Sequence, residues 1–267
     1  MSRRRAPDRL PGLVDSHAHL QAAAFDADRP AVMARAVAAG IERMLVPGYD
    51  LVSSEAAVTL AEAHPLLLDA AVGIHPHHAA AIGEEEWRRL EELVRHPRVV
   101  AIGEIGLDFF RNLSSPEAQR AAFERQLALA ARVGKPVLVH DREAHAAVTQ
   151  TLLAWEGPRR EVRGVLHCYS GDRAMAERLV AAGFLISFAL PLTFSSAHGP
   201  REAAPAIPEG RYLVETDSPW LAPGGAGARN EPITALRVTA ELARLRGAAP
   251  EAVASSVAEA YRRLVGG

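Results

Sequence analysis

The sequence contains almost no cysteine, and this limits how the chain can be held together. Cys168 is the only thiol among 267 residues, so the chain cannot form an internal disulfide. A lone cysteine is typical of proteins in a reducing compartment. We therefore expect a cytoplasmic protein that is stabilised by its hydrophobic core rather than by covalent cross-links.

Long apolar segments are absent as well. The sequence has no run of about 18 consecutive apolar residues, which a membrane-spanning helix would require. The first five residues include three arginines, but residues 6–12 contain two prolines and an aspartate where a signal peptide has its apolar segment. We expect neither a membrane span nor an export signal.

Neither sign of charge is in excess. The 30 lysine and arginine residues nearly balance the 32 aspartates and glutamates, which leaves a formal net charge of −2. Proteins that hold nucleic acid mainly by surface charge are strongly basic, so the balance argues against that class. With 49% hydrophobic and 23% charged residues, the composition is that of a globular protein. A length of 267 residues suits one large α/β domain.

Eight short apolar runs recur along the chain, and most of them lead into polar residues. They cover residues 12–16, 43–47, 68–73, 99–103, 136–139, 164–166, 184–188 and 212–215. Runs this short and continuously apolar are typical of parallel strands buried on both faces. Helical signals lie between them: Ser115 is a predicted N-cap, Pro116 suits the first helical position, and Gly134 is a predicted stop. Asp172 and Gly183 bound a second helix in the same way.

We predict an α/β fold, a single (β/α)₈ TIM barrel with its active site at the C-terminal rim of the strands. The barrel domain covers residues 13–267 and follows a short N-terminal extension of residues 1–12. A doubly wound open sheet is the alternative. No G-x-G-x-x-G motif follows the first strand, where a dinucleotide-binding sheet would carry it. The Gly- and Pro-rich segment 219–230 follows the last strand, and such loops line active sites in this fold.

Side chains that bind metals fall at the ends of five of the eight predicted strands. They are His17, His19, Glu104, His140, His167 and Asp217. Six nitrogen and oxygen ligands exceed what one tetrahedral zinc needs, and they suit two divalent ions that share a bridging carboxylate. Lys135 cannot be a carbamylated bridge, because it lies at the start of the fifth strand, on the opposite face of the barrel. Glu104 is therefore the candidate bridge, and the glycines at 103 and 106 leave room beside it.

Seven segments in a fixed order make the sequence resemble a known family, the TatD-like metal-dependent deoxyribonucleases of the amidohydrolase superfamily. The segments are 14–20 (VDSHAHL), 73–76 (GIHP), 103–108 (GEIGLD), 139–144 (VHDREA), 167–171 (HCYSG), 215–219 (ETDSP) and 229–232 (RNEP). Two positions depart from the family pattern. Gln21 stands where an aspartate is usual, and residues 224–228 lack the basic side chains that often precede Arg229.

The resemblance implies two metal positions. One ion would be bound by His17, His19, Glu104 and Asp217. The second would be bound by Glu104, His140 and His167. Imidazole ligands favour Zn²⁺, Mn²⁺, Ni²⁺ or Co²⁺ at rest, whereas Mg²⁺ would support activity only in excess.

These residues predict a metal-dependent hydrolase, a deoxyribonuclease that cleaves phosphodiester bonds of DNA, with 3′-5′ exonuclease action on single strands as one form of that activity. Asp217 is the predicted general base and Glu104 the residue that spaces the ions. Two carboxylates against two divalent ions would leave a positive centre that attracts an anionic substrate. The candidate substrate contacts are His75, Arg111, Arg142 and Trp220. Single-stranded DNA is the expected partner, with no obligate protein partner.

Three alternatives remain open at this point. The same centre would serve a hydrolase of a small amide, lactone or ester, or a deacylase acting on aminoacyl-RNA ends. A non-catalytic metal-binding scaffold is the third. Two further expectations concern neighbours of the ligands: Asp15 would orient a histidine, and Cys168 would point away from His167 toward the helices and be inert.

Overall fold

The protein is a nearly closed barrel of eight parallel strands, as predicted. A computed structural model describes residues 8–225 and 227–266. The strands are β1 Leu13–Asp15, β2 Ile41–Pro47, β3 Leu68–Val72, β4 Val99–Asp108, β5 Val137–Arg142, β6 Gly164–Leu166, β7 Phe184–Phe188 and β8 Tyr212–Val214. They pair in sequence order from β1 to β8. The ends of the sheet meet where the N–H of Ser16 donates to the carbonyl of Val214 at 3.0 Å.

Helices connect the strands and cover the outside of the barrel. They are α1 Arg29–Ala38, α2 Leu51–Ala63, α3 Glu84–Leu93, α4 Pro116–Val133, α5 His145–Ala154, α6 Arg173–Ala181, α7 His198–Ala203, α8 Ala235–Arg246 and α9 Pro250–Val265. Both α8 and α9 follow β8, and both also contact β1. The two helices thereby cover the place where the barrel closes.

The predicted helix boundaries of α4 and α6 are confirmed. The side chain of Ser115 accepts a hydrogen bond from the N–H of Ala118, and Gly134 ends α4 in the left-handed conformation at φ 73°. Asp172 caps α6 by accepting from the N–H of Met175 at 2.8 Å. Gly183 follows α6 with φ 91°, which favours glycine.

The predicted N-terminal extension is only partly within the described residues. Leu10 lies in the hydrophobic core and donates its N–H to the carbonyl of Ala39 at 2.8 Å. Residues 1–7, Ala226 in the Gly-rich segment after β8, and Gly267 lie outside the described part of the chain. The structure therefore does not test the expectation that the first residues carry no export signal. None of the helices in the described ranges combines the length and apolar character needed to cross a membrane.

Two strands extend further than their apolar residues indicate. β4 and β5 remain paired through Gly106 with His140 and Asp108 with Arg142. Glu104 and His140 therefore lie within strands rather than at strand ends, because backbone pairing continues where the apolar pattern stops. Glu104 and His140 nevertheless lie close together, because both are near the C-terminal rim of the barrel.

Close backbone approach explains the glycines beside Glu104, as the sequence predicts. A Cβ atom at Gly103 would lie 2.6 Å from the Cβ of Leu138, and one at Gly106 would lie 2.0 Å from the carbonyl oxygen of His140. Gly106 also has φ 141°, a region that favours glycine. Lys135 lies at the opposite end of β5, where its ammonium contacts the carbonyl of Val99, so its predicted exclusion from the site is confirmed.

Candidate metal centre

Glu104 lies at the centre of the histidine cluster and divides its two oxygens between different partners. Its Oε1 is 2.8 Å from Nδ1 of His140 and 2.8 Å from Nε2 of His167. Its Oε2 is 3.4 Å from Nε2 of His17 and 3.6 Å from Nε2 of His19. The carboxyl group is nearly inaccessible to solvent, at 4% residue exposure. One carboxylate thus faces two separate pairs of imidazoles.

The first pair belongs with Asp217. The Nε2 atoms of His17 and His19 are 3.0 Å apart, and Oδ1 of Asp217 lies 3.8 and 3.6 Å from them. All three residues follow the ends of β1 and β8. The N–H of Asp217 donates to the carbonyl of His17 at 2.9 Å, which joins the two chain segments. Asp217 adopts φ 56°, an uncommon conformation for a residue other than glycine.

The second pair consists of His140 and His167. Nδ1 of His140 lies 3.2 Å from Nε2 of His167, and both nitrogens face Oε1 of Glu104. The ring of His167 also stacks on that of His17, with centroids 4.1 Å apart. The structure therefore brings all six predicted ligand residues into one connected cluster.

The far nitrogens of three histidines face acceptors outside the cluster. Nδ1 of His19 faces the carbonyl of Pro47 at 3.0 Å, and Nδ1 of His167 faces Oε1 of Glu215 at 3.2 Å. Nε2 of His140 lies 3.4 Å from Oδ2 of Asp108. Each acceptor favours a proton on the outer nitrogen. A cation that displaces the proton from the inner nitrogen would therefore find a lone pair facing the cluster.

Sequence reasoning missed two carboxylates of this site. Glu215 is fully buried, and its Oε1 also accepts from the N–H of Cys168 at 2.7 Å. Asp108 is buried and accepts from Nε2 of His77 at 2.8 Å. Glu215 stands in segment 215–219, two residues before Asp217, and Asp108 stands in segment 103–108, four residues after Glu104. This proximity to predicted ligands could have drawn attention to both. They offset the positive charge that the sequence predicts for a loaded centre.

The donor set fits divalent cations. Three carboxyl groups, those of Glu104, Asp108 and Glu215, are at most 4% exposed, and Asp217 adds a fourth beside them. Buried carboxylates are costly unless a positive charge compensates them. Protonated histidines such as His167 can provide that charge, and divalent ions would take the place of their protons. His17, His19 and Asp217 form one group whose ligand atoms lie within 4.8 Å of one another.

The two central carboxyl groups are held in the ionised form. Burial acts to raise the pKa of Glu104, but the charge of His167 and its other histidine neighbours lower it well below the ordinary value. Burial likewise opposes ionisation of Asp217, yet the hydrogen bond from His19 and the charge of His17 lower the pKa of this group. Both groups are therefore ready to hold cations at neutral pH.

His75 enters the cluster as a hydrogen-bond donor. Its Nδ1 accepts from the N–H of His77 at 3.1 Å, so its proton lies on Nε2, which is 3.4 Å from Oε1 of Glu104. Burial lowers the pKa of His75 to about 3, so the ring is neutral. A neutral ring with its proton on Nε2 can donate to an oxygen at the centre, but it has no lone pair there for a metal.

The expectation for Asp15 needs correction, and Cys168 agrees with its expected inertness for a different reason. Asp15 orients backbone rather than an imidazole: it accepts from the N–H groups of His17 and Thr216 and from the Thr216 hydroxyl at 2.6 Å. Strand alternation does not apply to Cys168, because β6 ends at Leu166 and Cys168 has φ 42°. Burial, together with nearby carboxylates, raises the pKa of its thiol well above the ordinary value, which disfavours the reactive thiolate.

The remaining predicted contacts lie at the rim. The indole of Trp220 is 4.5 Å from the ring of His19 and is 48% exposed. The guanidinium of Arg142 lies over the ring of Phe110 at 4.3 Å. Arg111 is exposed, and its backbone N–H donates to Oδ1 of Asp108 at 2.8 Å. Trp220 thus contacts a candidate ligand directly, whereas the contacts shown for the two arginines are with neighbouring residues.

Comparison with known proteins gives matches along the whole barrel. A family model described as "TatD related DNase" matches residues 14–266. The chain is 38% identical over 253 residues to an uncharacterized metal-dependent hydrolase, YabD, of Bacillus subtilis (strain 168), which covers 94% of this chain and 98% of that protein. It is 40% identical over 240 residues to the 3′-5′ ssDNA/RNA exonuclease TatD of Edwardsiella piscicida, with 88% and 92% covered.

A solved structure agrees with these sequence matches. The crystal structure of YJJV, a TatD homolog from Escherichia coli K12, superposes with a TM-score of 0.88 at 32% identity and covers 95% of this chain and 97% of that one. The similarity therefore includes every strand that carries a candidate ligand.

Proposed function

This chain belongs to the TatD-related DNase family of metal-dependent hydrolases, and we propose that it is a nuclease that hydrolyses phosphodiester bonds of single-stranded DNA. The hydrolase domain in this proposal covers residues 13–267. Cleavage from the 3′ end is the form that we favour, because relatives such as the Edwardsiella piscicida protein are named 3′-5′ ssDNA/RNA exonucleases. The single cysteine, Cys168, favours a cytoplasmic location, and the proposal needs no protein partner.

The division of the Glu104 oxygens between two histidine pairs is the observation that carries this proposal. With Oε2 facing His17 and His19, and Oε1 facing His140 and His167, one carboxylate would hold two divalent ions side by side. Asp217 would complete the first position. Bound ions would activate water and polarise the phosphoryl group. The nitrogen-rich set favours Zn²⁺, Mn²⁺, Ni²⁺ or Co²⁺ over Mg²⁺.

Asp217 would move the proton of the attacking water. Its Oδ1 lies 3.6 Å from Nε2 of His19, within the first histidine group that would hold an ion. The lowered pKa keeps the carboxylate ionised and able to accept a proton. The left-handed backbone of Asp217 and the hydrogen bond from its N–H to His17 fix the carboxylate against the first histidine pair.

Four residues would contact the substrate. His75 would donate from Nε2 to a phosphate oxygen, in the direction in which it now faces Glu104. Arg142 and Arg111 would neutralise phosphate charge from the rim. Trp220 would contact the nucleotide beside His19. These contacts matter because Asp108 and Glu215 reduce the positive charge of the centre itself.

A cleavage assay with two matched substrates tests the function. Metal-replete protein should shorten a 5′-labelled single-stranded oligonucleotide with a free 3′ end and leave one with a blocked 3′ end intact. Equal cleavage of both would contradict exonuclease action from the 3′ end, and internal products would then indicate endonuclease action. Turnover of a small ester or amide, or deacylation of an aminoacyl-RNA end, without oligonucleotide cleavage would overturn the nuclease proposal. Metal binding without turnover of any of these substrates would indicate a scaffold.

A further inference from the structure

A cavity of about 400 Å³ lies between the loops that follow β7 and β8. The side chains of Leu190, Phe194, Trp220 and Leu221 line it together with prolines, alanines and glycines, and none of its lining residues among those described carries a charge. Its volume falls within the range of about 300–1,000 Å³ that is usual for small-molecule sites. A cavity of this composition suits an uncharged, flat and largely apolar group, and it does not suit a phosphate.

Trp220 joins this cavity to the metal centre. Its indole lines the cavity and contacts the ring of His19 edge-on, with centroids 4.5 Å apart and an angle of 78° between the rings. Its backbone N–H donates to the carbonyl of Asp217 at 2.9 Å. The cavity wall is thus fixed to two of the candidate ligands, so a group seated in the cavity would be adjacent to the bond that is hydrolysed.

Two aromatic rings in the cavity wall remain available to a ligand. Phe194 is 52% exposed and Trp220 is 48% exposed, which is unusual for side chains of this size. Phe194 follows a short 3-10 helix, Leu190–Thr193, and its N–H donates to the carbonyl of Pro191 at 2.9 Å, so its backbone is fixed at the edge of the cavity. Half-exposed rings offer a π-face on which another ring can stack.

We propose that this cavity is a nucleobase subsite, in which the unpaired base of a nucleotide flanking the scissile phosphate stacks on Phe194 and Trp220. The proposal rests on the proposed nuclease activity and adds the part of the substrate that the metal centre does not bind. Stacking tolerates any base sequence. It also compensates for the near-neutral charge of the chain, which provides little general attraction for nucleic acid.

The subsite also gives a physical reason for action on single strands. A base within a duplex is stacked on its neighbours and paired, so it would have to leave the helix before it could enter the cavity, which is energetically unfavourable. An unpaired base near a strand end enters without that cost. Selectivity for single strands would then come from the cavity next to the metal centre.

Removal of the ring and removal of the base, alone and together, test the subsite. The protein variants are Phe194→Ala and Phe194→Leu, and the substrates are single-stranded oligonucleotides with an abasic residue at either nucleotide flanking the cleaved bond. In the wild type, an abasic residue at one of these positions should lower kcat/KM by roughly 5- to 150-fold. In Phe194→Ala the intact substrate should lose a similar factor, and the abasic residue should cost little more.

Equilibrium binding gives a readout that does not depend on turnover. With chelated protein, which does not cleave, labelled intact and abasic oligonucleotides should differ in Kd for the wild type and bind equally to Phe194→Ala. Phe194→Leu keeps apolar volume but has no π-face, so it should behave like Phe194→Ala. Leu66→Ala is the matched control, because Leu66 is 88% exposed and precedes β3 at the opposite end of the barrel; it should match the wild type.

Each contrary result has a distinct meaning. Equal binding and equal cleavage of intact and abasic substrates by the wild type would overturn the subsite while leaving the nuclease function standing. Wild-type behaviour of Phe194→Leu would show apolar contact without stacking and would also overturn it. A wild type that cleaves no oligonucleotide contradicts the proposed function. If it also binds intact and abasic strands equally, and Phe194→Ala loses turnover of a small apolar ester, the cavity belongs to a different substrate.

Discussion

Asp108 Oδ2 lies 3.4 Å from Nε2 of His140, on the side of the imidazole that faces away from Glu104. The same carboxylate accepts from Nε2 of His77 and from the N–H groups of Phe110 and Arg111. Asp108 is therefore fixed from several directions, and it places a negative charge beside the outer nitrogen of His140. Outer carboxylates of this kind raise the basicity of a metal-binding imidazole.

Asp108→Asn should weaken metal binding with little effect on the fold. The amide keeps an oxygen for the backbone N–H groups but loses the charge that favours a proton on Nε2 of His140, so affinity for one ion should fall by about 10- to 100-fold. Titration with Zn²⁺ or Mn²⁺ against a competing chelator measures this. Asp26→Asn, at an exposed aspartate paired with Arg29, is the control. Unchanged affinity in Asp108→Asn would contradict the assigned role.

Asp217→Asn and Glu104→Gln should separate proton transfer from metal holding. Asp217→Asn keeps an oxygen that coordinates weakly but cannot accept a proton, so kcat should fall by roughly 10²-fold or more while metal content falls less. Glu104→Gln removes the charge between the two histidine pairs, so at least one ion per chain should be lost together with activity. Elemental analysis and cleavage assays on the same samples measure both. Two retained ions in Glu104→Gln would contradict the bridging role.

Gly106→Ala should destabilise the barrel much more than Gly134→Ala does. Both glycines have positive φ, but a Cβ at Gly106 would lie 2.0 Å from the carbonyl oxygen of His140, whereas a Cβ at Gly134 meets nothing within 4 Å. We expect a loss of about 1–2 kcal/mol of unfolding free energy for Gly134→Ala and about 3 kcal/mol or more for Gly106→Ala. Urea denaturation measures both, and equal losses would contradict the predicted clash.

Tyr261 should contribute to loss of stability in alkali. Its hydroxyl donates to Oδ2 of Asp69 at 2.8 Å; burial, followed by the charge of Asp69, raises its pKa well above the ordinary value. The neutral phenol is favoured in the fold, so this stability is complete below the unfolded pKa of about 10 and declines as pH rises above it. Tyr261→Phe should reduce the slope of unfolding free energy between about pH 10 and 11.5 by up to about 1.4 kcal/mol per pH unit.

Denaturation at several pH values compares the two proteins. At pH 7, Tyr261→Phe should lose about 1 kcal/mol for the missing hydrogen bond. The difference between variant and wild type should shrink as pH rises. A constant difference up to pH 11.5 would show that the phenol ionises as readily in the fold as in the unfolded chain.

The sequence predicts the strands well because their signal is local. The runs that become β3, β6 and β7 end within one residue of their predicted ends, since each is mostly apolar and stops where the apolar residues stop. The ends of β4 and β5 were wrong by several residues, because the pairing of Asp108 with Arg142 depends on a neighbouring strand rather than on hydropathy. Local patterns cannot indicate how far two polar segments remain paired.

The site was predicted in part for the same reason. His17, His19 and Asp217 adjoin strand ends, and that position is visible in the sequence. The role of Glu215 arises from a hydrogen bond to His167, 48 residues away, and no local pattern encodes that contact. Phe194 was missed because its proposed role depends on its exposure in the same cavity as Trp220. The sequence around a single aromatic residue in a loop does not indicate whether that residue is exposed or what lies beside it. Long-range packing determines both.

The place where the barrel closes has a consequence for how the protein folds. Hydrogen bonds from Thr216 to Asp15 join residues 201 positions apart, and the candidate ligands His17, His19 and Asp217 lie immediately beside them. An ion held by these three side chains would link the first and last strands of the sheet. A chain that has not yet completed its final strand would lack that position altogether. An ion could therefore bind at the first position only after the barrel has formed. Once bound, it would stabilise the folded enzyme against separation of the first and last strands.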